Sequence, residues 1–441
     1  MTKEFSGKQL VFISLMLFSM FFGAGNLIFP VFLGQAAGDN MWPSLAGFIV
    51  SAVGLPILGV VAIAKAGSFQ TLNSRVHPLF ALIFPFIIYI SIGPGLAIPR
   101  AGSLAYEMGA APFLPEGLAV NPATLFIYTI VFFGLVYWLS MSPSKLVDLF
   151  GKLLTPIVLA LIVIILVKSL ITPIGSFELP TGNYGNSPVF QGFLDGYLTM
   201  DALAALAFGI VIANTIRAQG VENDKLLSHY MISAGIGAGI LLTVIYIILG
   251  YLGAASASLG QSENGAQILT NIMGYLFGQS GTLILGIVFT LACFCVSIGL
   301  VISCSQFFAG AVSKVPYKAW VLILCLTSTA VANLGLTQIL KVSVPILGMI
   351  YPIAIVLIFL ALIHQYIENS SYIYVTTVAV VGLFSILDTV NKTFMGEALS
   401  PVLNAMPLYQ EGIGWLIPAL IGIALGYLLG KRKTSSVPAY K

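Results

Sequence analysis

The sequence predicts an all-α polytopic membrane protein with 12 transmembrane helices, and three observations carry that prediction. Hydrophobic residues make up 59% of the 441-residue chain and charged residues only 7%, against about 25% charged in a soluble domain. The apolar residues gather into stretches near the roughly 20 residues that a helix needs to cross a bilayer. The basic residues divide unequally between alternate connections, as the positive-inside rule requires. A soluble fold of this size would lack the charge to cover its surface, so a lipid bilayer supplies the exterior.

Taken in order, the stretches centre on Phe22, Gly54, Ile88, Ile130, Leu161, Phe208, Leu242, Val296, Leu326, Met349, Val381 and Leu420. The first is too long for a signal-peptide core and carries Gly23-Ala24-Gly25-Asn26 in its middle, so it reads as a retained membrane helix. An even number of spans places both termini on one side. With that side cytoplasmic, only Arg100, Lys168, Lys341 and Lys392 of the 18 basic residues fall outside; the rest, from Lys3 and Lys8 through Lys145 to Lys441, fall inside. The connection near His364 is the exception, an inner segment without Lys or Arg. Trp42, Trp138, Trp320 and Trp415 all lie near span ends, where an indole keeps its N–H wet. The longest polar connections, at 102–122, 171–191, 255–278 and 391–412, are too short for an appended soluble domain. The whole chain therefore reads as a single integral domain in the cell membrane.

Several function classes drop out. The net charge is +3 and no basic run is interleaved with aromatics, so nucleic acid is not a partner. Cys293, Cys295, Cys304 and Cys325 all sit in apolar stretches. They have neither the loop setting of a disulfide framework nor the spacing of a metal site, and read as packing residues. No His–carboxylate pair or nucleophile with a nearby base converges at mid-depth, so an enzyme is not expected. No filter-like ring motif points to a channel.

What remains is the pattern of backbone breaks. A broken helix in lipid leaves N–H and C=O groups unpaired at several kcal/mol each, and survives only where it faces protein or a water-filled cavity. Transporters use such breaks to hold ions and charged substrates. In span one, Gly23, Ala24 and Gly25 precede Asn26, with Pro30 one turn on; an unwound segment facing an anion and a small-residue packing groove are both open. Span six places Asp201 near the midplane, where a carboxylate points to function or caps a broken helix. Span three runs Ile92-Gly93-Pro94-Gly95 to Pro99-Arg100, which must distort it, and Arg100 there fits an outer vestibule or a snorkelling side chain. In span eight, Thr290 and Ser297 share a face, offering hydroxyls to a Na⁺ or to helix packing. Spans one and six lie five apart, an odd offset that inverts one half of the chain relative to the other.

These residues are similar to a known family. The segment 22–30 (FGAGNLIFP) resembles the first helix of branched-chain amino acid: cation symporters (the LIVCS family, BrnQ type). So do Ile92-Gly93-Pro94 with Ala97-Ile98-Pro99-Arg100, and the segment 196–204 (GYLTMDALA), in the same order and over essentially the whole chain. The resemblance implies a LeuT-like fold: two inverted repeats of five spans (about 8–170 and 190–363) followed by two more spans (371–430), with helices 1 and 6 discontinuous. It implies import of L-leucine, L-isoleucine or L-valine by Na⁺ symport through alternating access, with no cofactor beyond the coupling ion. Carried onto this chain, Gly23, Ala24, Gly25 and Asn26 would hold the substrate carboxylate, with Asp201 close by. Ala204 and its neighbours up to Phe208 would offer carbonyls to the ammonium, and Ile92, Gly93 and Phe208 would surround the side chain. Backbone carbonyls of Ser19 and Phe22 would meet Na⁺ with Cys295 and Ser297. The family's fold usually places hydroxyls in span eight where Cys295 and Val296 stand here. A proton carried on Asp201, or a different solute such as a nucleobase, is the alternative that this departure leaves open.

Overall fold

The computed structural model describes residues 5–119, 121–143, 147–262, 264–367 and 370–434; Lys3, Lys145 and Lys441, used above to orient the chain, lie outside them. Among the described residues the secondary structure is helical throughout. The apolar stretches form helices because a backbone without water as a partner must satisfy its hydrogen bonds within its own segment.

Two helices open the chain, α1 (Gly7–Phe21) and α2 (Ala24–Ala37). Next come α3 (Met41–Ile49) and α4 (Leu55–Ala66), joined through a π turn at Val50–Gly54. A second π turn, Ser91–Gly95, joins α5 (Pro78–Ile90) to α6 (Ala97–Gly109). After α7 (Pro122–Ser140) and α8 (Thr155–Ile171) the chain crosses to α9 (Pro188–Tyr197) and α10 (Asp201–Ala218). The long helix α11 (Asp224–Ala255) is followed by the peripheral α12 (Gly265–Phe277) and another long helix, α13 (Gln279–Ala311). The chain closes with α14 (Tyr317–Ala332), α15 (Leu336–Ile363), α16 (Ser370–Phe394) and α17 (Leu416–Thr434). Nine helical runs among the described residues are long and apolar enough to cross a membrane, and α1, α14 and α17 are shorter apolar helices.

Burial separates the helices into a core and a lipid-facing shell. Helices α1, α2, α10 and α13 bury nearly every residue at their centres. In contrast, α5 exposes Leu79, Leu82, Ile83, Ile87 and Ile90, and α7 exposes Phe126, Ile127, Ile130, Val131 and Leu135. Such apolar stripes would be a liability in water and are the ordinary outer surface of a protein in lipid. Close helix approach in the core depends on small residues. A side chain at Gly253 of α11 would run into the Val31 carbonyl of α2, so only glycine permits that contact. The four cysteines are free and buried.

Candidate functional site

The centre of the bundle is organised by two gaps in helical structure. Helix α1 ends at Phe21, and the chain passes through Phe22 (φ −72°, ψ 95°) and Gly23 (φ −124°, ψ −163°) before α2 begins. Helix α9 ends at Tyr197, and α10 begins at Asp201 after Met200, which adopts a left-handed conformation with φ 67°. A non-glycine residue there costs about 1–2 kcal/mol and persists only where surrounding contacts impose it.

Asn26 ties the two gaps together. Its Oδ1 accepts the Gly23 N–H at 3.1 Å. Its Nδ2 donates to Asp201 Oδ2 at 2.5 Å and to the Tyr246 hydroxyl oxygen at 2.5 Å. Tyr246, from α11, donates in turn to the same carboxylate oxygen at 3.3 Å. On the α10 side, the Asp201 N–H reaches the Thr199 hydroxyl at 3.4 Å, while that hydroxyl donates to the Gly196 carbonyl at 2.9 Å. Asn26 and Asp201 are each only 2% exposed. A buried amide and a buried carboxylate are costly unless paired, and here each satisfies the other.

This network diverts the Gly23 amide from its helical partner. In a continuous helix that N–H would bond the Ser19 carbonyl; here it bonds Asn26 instead. The Ser19 carbonyl is thereby released, as are the first amides of α2. Ser19 also lies within hydrogen-bond reach of Cys295. The structure thus brings Ser19 and Cys295 together.

Of the substrate-site residues expected from the sequence, Gly23, Ala24, Gly25, Asn26, Ile92, Asp201 and Ala204 line one small cavity of about 30 Å³, together with Arg100, Thr199 and Val296. Gly93 and Phe208 do not. Gly93 is the non-helical residue of the π turn and faces the Cys304 sulfur, and Phe208 packs its ring on Phe21 with centroids 5.3 Å apart. The carbonyl of Ala207 already accepts the hydroxyls of Tyr89 at 3.1 Å and Ser303 at 2.9 Å.

The two hydroxyls of α13 singled out in the sequence, Thr290 and Ser297, part company. Thr290 packs against Gly109 of α6, well away from the gap in helix one. Ser297 is fully buried and its hydroxyl has no partner among the described residues. Facing the gap instead is Val296: a Cβ added to Gly23 would lie 2.8 Å from its Cγ1.

Arg100 occupies neither place expected from the sequence, being 5% exposed in the middle of the bundle. The non-helical backbone at Gly93 and Leu96 redirects α6 inward. The guanidinium then reaches the Leu198 carbonyl at 3.0 Å, at the end of α9. Tyr246 was not singled out in the sequence. A tyrosine deep in an apolar helix asks for a hydroxyl partner, but not which one.

Two larger cavities open at the helix ends around Lys65, Lys152 and Arg217, with volumes of about 560 and 830 Å³. Both are lined by Asn214 and Gln306, which hydrogen-bond at 3.1 Å.

Solved structures share the fold of this helical bundle. The fold matches that of Mhp1, a nucleobase-cation-symport-1 family transporter in a closed conformation with bromovinylhydantoin bound, at a TM-score of 0.61 and 14% identity over 96% of this chain and 93% of that one. It also matches MhsT in complex with L-phenylalanine, at a TM-score of 0.60 and 16% identity over 96% of this chain and 100% of that one. At such identities the likeness speaks for the fold alone: a multi-pass, all-helical membrane protein of the LeuT-like kind. Sequence comparison is more specific. The family described as "Branched-chain amino acid transport protein" matches residues 6–433. The branched-chain amino acid permease BraB of Bacillus subtilis (strain 168) is 46% identical over 429 residues, covering 96% of this chain and 95% of BraB. The chain belongs to this family, which is one of transport proteins and not of enzymes.

Proposed function

We propose that this protein imports branched-chain amino acids by cation symport through alternating access. The observation that carries the reading is the Asn26–Asp201–Tyr246 network holding two helix gaps face to face around a buried cavity. Its geometry supplies released amides for a carboxylate and released carbonyls for cations. Family membership supports the substrate class: L-leucine, L-isoleucine and L-valine. One methylene in an apolar pocket discriminates by only about 1–3 kcal/mol, so the three compete.

The architecture is read as 12 spans, with α1–α2 as the first and α9–α10 as the sixth. Two inverted five-span repeats precede α16 and α17. The chain lies in the cell membrane with both termini in the cytoplasm. Lys65, Lys152 and Arg217 around the large cavities at the helix ends support this orientation, because basic residues favour the inner side of a membrane.

Na⁺ is the proposed coupling ion, held by carbonyls of Ser19 and Phe22 beside Cys295. Inward movement of its charge gains about 2.3 kcal/mol per 100 mV of membrane potential. Val296, apolar and facing the gap at Gly23, favours a second reading in which a proton on Asp201 drives transport. Uptake of labelled L-leucine into proteoliposomes, under a Na⁺ gradient and separately under a pH gradient, tests both. Accumulation with the Na⁺ gradient alone supports the first reading and with the pH gradient alone the second. Uptake indifferent to both gradients rules out symport.

A further inference from the structure

The central cavity has one wall that the proposed mechanism has not used. Arg100 is a full positive charge buried beside the first turn of α2. Among the described residues it makes one hydrogen bond, from Nη1 to the Leu198 carbonyl at 3.0 Å, and it lies 5.9 Å from the centroid of the Phe29 ring. A guanidinium has five N–H donors. No carboxylate lies within ion-pair reach of it among the described residues. Asp201 acts on it through space but accepts its hydrogen bonds from Asn26 and Tyr246. A buried charge left in this state is strongly unfavourable.

The missing partner can be described from the geometry. Arg100 Nη2 lies 3.1 Å from the point where a Cβ on Gly25 would stand, so the guanidinium faces the glycine at the start of α2. The cavity between them is about 30 Å³, room for a small polar group and too little for a branched side chain. A planar anion with two acceptor oxygens matches the arginine fork, and the amides opening α2 add to its field.

We propose that Arg100 binds the carboxylate of the transported amino acid, clamping it between α6 and the first turn of α2. The inference rests on the reading of this chain as an amino-acid carrier and adds the residue that recognises the α-carboxylate. It also gives Gly25 a reason: any side chain there would crowd the guanidinium. Substrate specificity then has two parts. The aliphatic group is selected loosely by packing, and the carboxylate is selected stringently by a charge that has no ion-pair partner among the described residues.

Binding of L-leucine, and of L-leucinol, which carries CH₂OH in place of the carboxylate, is measured by calorimetry on the purified full-length protein. The unmodified protein should prefer leucine by about 10- to 100-fold, the range for a hydrogen bond to a charged group. Arg100→Gln should weaken leucine by a similar factor and leave leucinol nearly unchanged, and Arg100→Lys should recover part of the loss. Equal affinity for leucine and leucinol in the unmodified protein overturns the assignment without any variant. Parallel loss of both ligands in a folded Arg100→Gln protein also overturns it, since that is the mark of a structural role. An unmodified protein that binds none of leucine, isoleucine and valine overturns the amino-acid reading and this assignment with it.

Discussion

Exchanging the donor and acceptor of the central contact tests the whole arrangement. In Asn26→Asp the Gly23 N–H keeps its acceptor, but the Nδ2 that gave 2.5 Å bonds to Asp201 and to the Tyr246 hydroxyl becomes an oxygen. One hydrogen bond to a charged group is lost, at about 1.5–3 kcal/mol. Two acceptors are forced together at a site with almost no access to water, which at least doubles the loss, to about 3–6 kcal/mol. At an unfolding entropy of about 2 cal/mol/K per residue, a chain of this length loses about 1 °C of melting temperature per kcal/mol. The single variant should therefore melt about 3–6 °C lower. Asn26→Asp combined with Asp201→Asn restores one donor facing one acceptor and should recover most of the shift, a coupling typical of residues in one network. Thermal unfolding in detergent, followed by intrinsic fluorescence, reads the three proteins side by side. Leucine uptake should stay impaired in the exchanged pair, because the carboxylate has moved from α10 to α2. An Asn26→Asp protein as stable as its parent, or an exchanged pair no more stable than the single variant, refutes the direct contact between Asn26 and Asp201.

Further expectations concern the same gap. Gly23→Ala should cut leucine uptake and stability, because its Cβ would meet Val296 Cγ1 at 2.8 Å; overpacking of this kind costs about 1–3 kcal/mol. Adding Val296→Ala should restore both, and failure of that rescue in a folded double variant would mean that the two do not touch. Cys295→Ser places a hydroxyl beside Ser19 and should lower the Na⁺ concentration that half-saturates leucine uptake, since hard cations prefer oxygen to sulfur; an unchanged or raised value argues against a cation at that spot.

The order of apolar stretches, the glycines near position 23 and the mid-span carboxylate were legible because each breaks a simple rule of membrane helices. Asn26 and Asp201 stood out for the same reason: an unpaired polar group in lipid is too costly to be incidental. The second gap was harder to place. Its residues are Leu198, Thr199 and Met200, none of them glycine or proline, and Met200 takes a left-handed conformation that its own chemistry disfavours. Thr199 bonds locally to the Gly196 carbonyl, but the bonds on either side, to Leu198 and Asp201, come from Arg100 and Asn26, far away in the sequence. Ser297 and Thr290 illustrate the opposite error. Seven residues apart, they share a helix face, yet one packs against Gly109 and the other is buried without a hydrogen-bond partner among the described residues, because the neighbour that a helix face meets is set by packing and not by period.

By itself the sequence determined that this is a membrane protein, roughly where its helices run, and that polar groups near positions 26 and 201 need partners in the bilayer. Those conclusions rest on local physics, the cost of bare backbone and bare charge in lipid, which each segment carries with it. Tertiary structure alone decided that Asn26, Asp201 and Tyr246 satisfy one another, that Val296 rather than a hydroxyl faces Gly23, and that Arg100 turns inward to the cavity. Each depends on the relative placement of helices far apart in the chain, where close packing at small residues and a distorted α6 choose the neighbour.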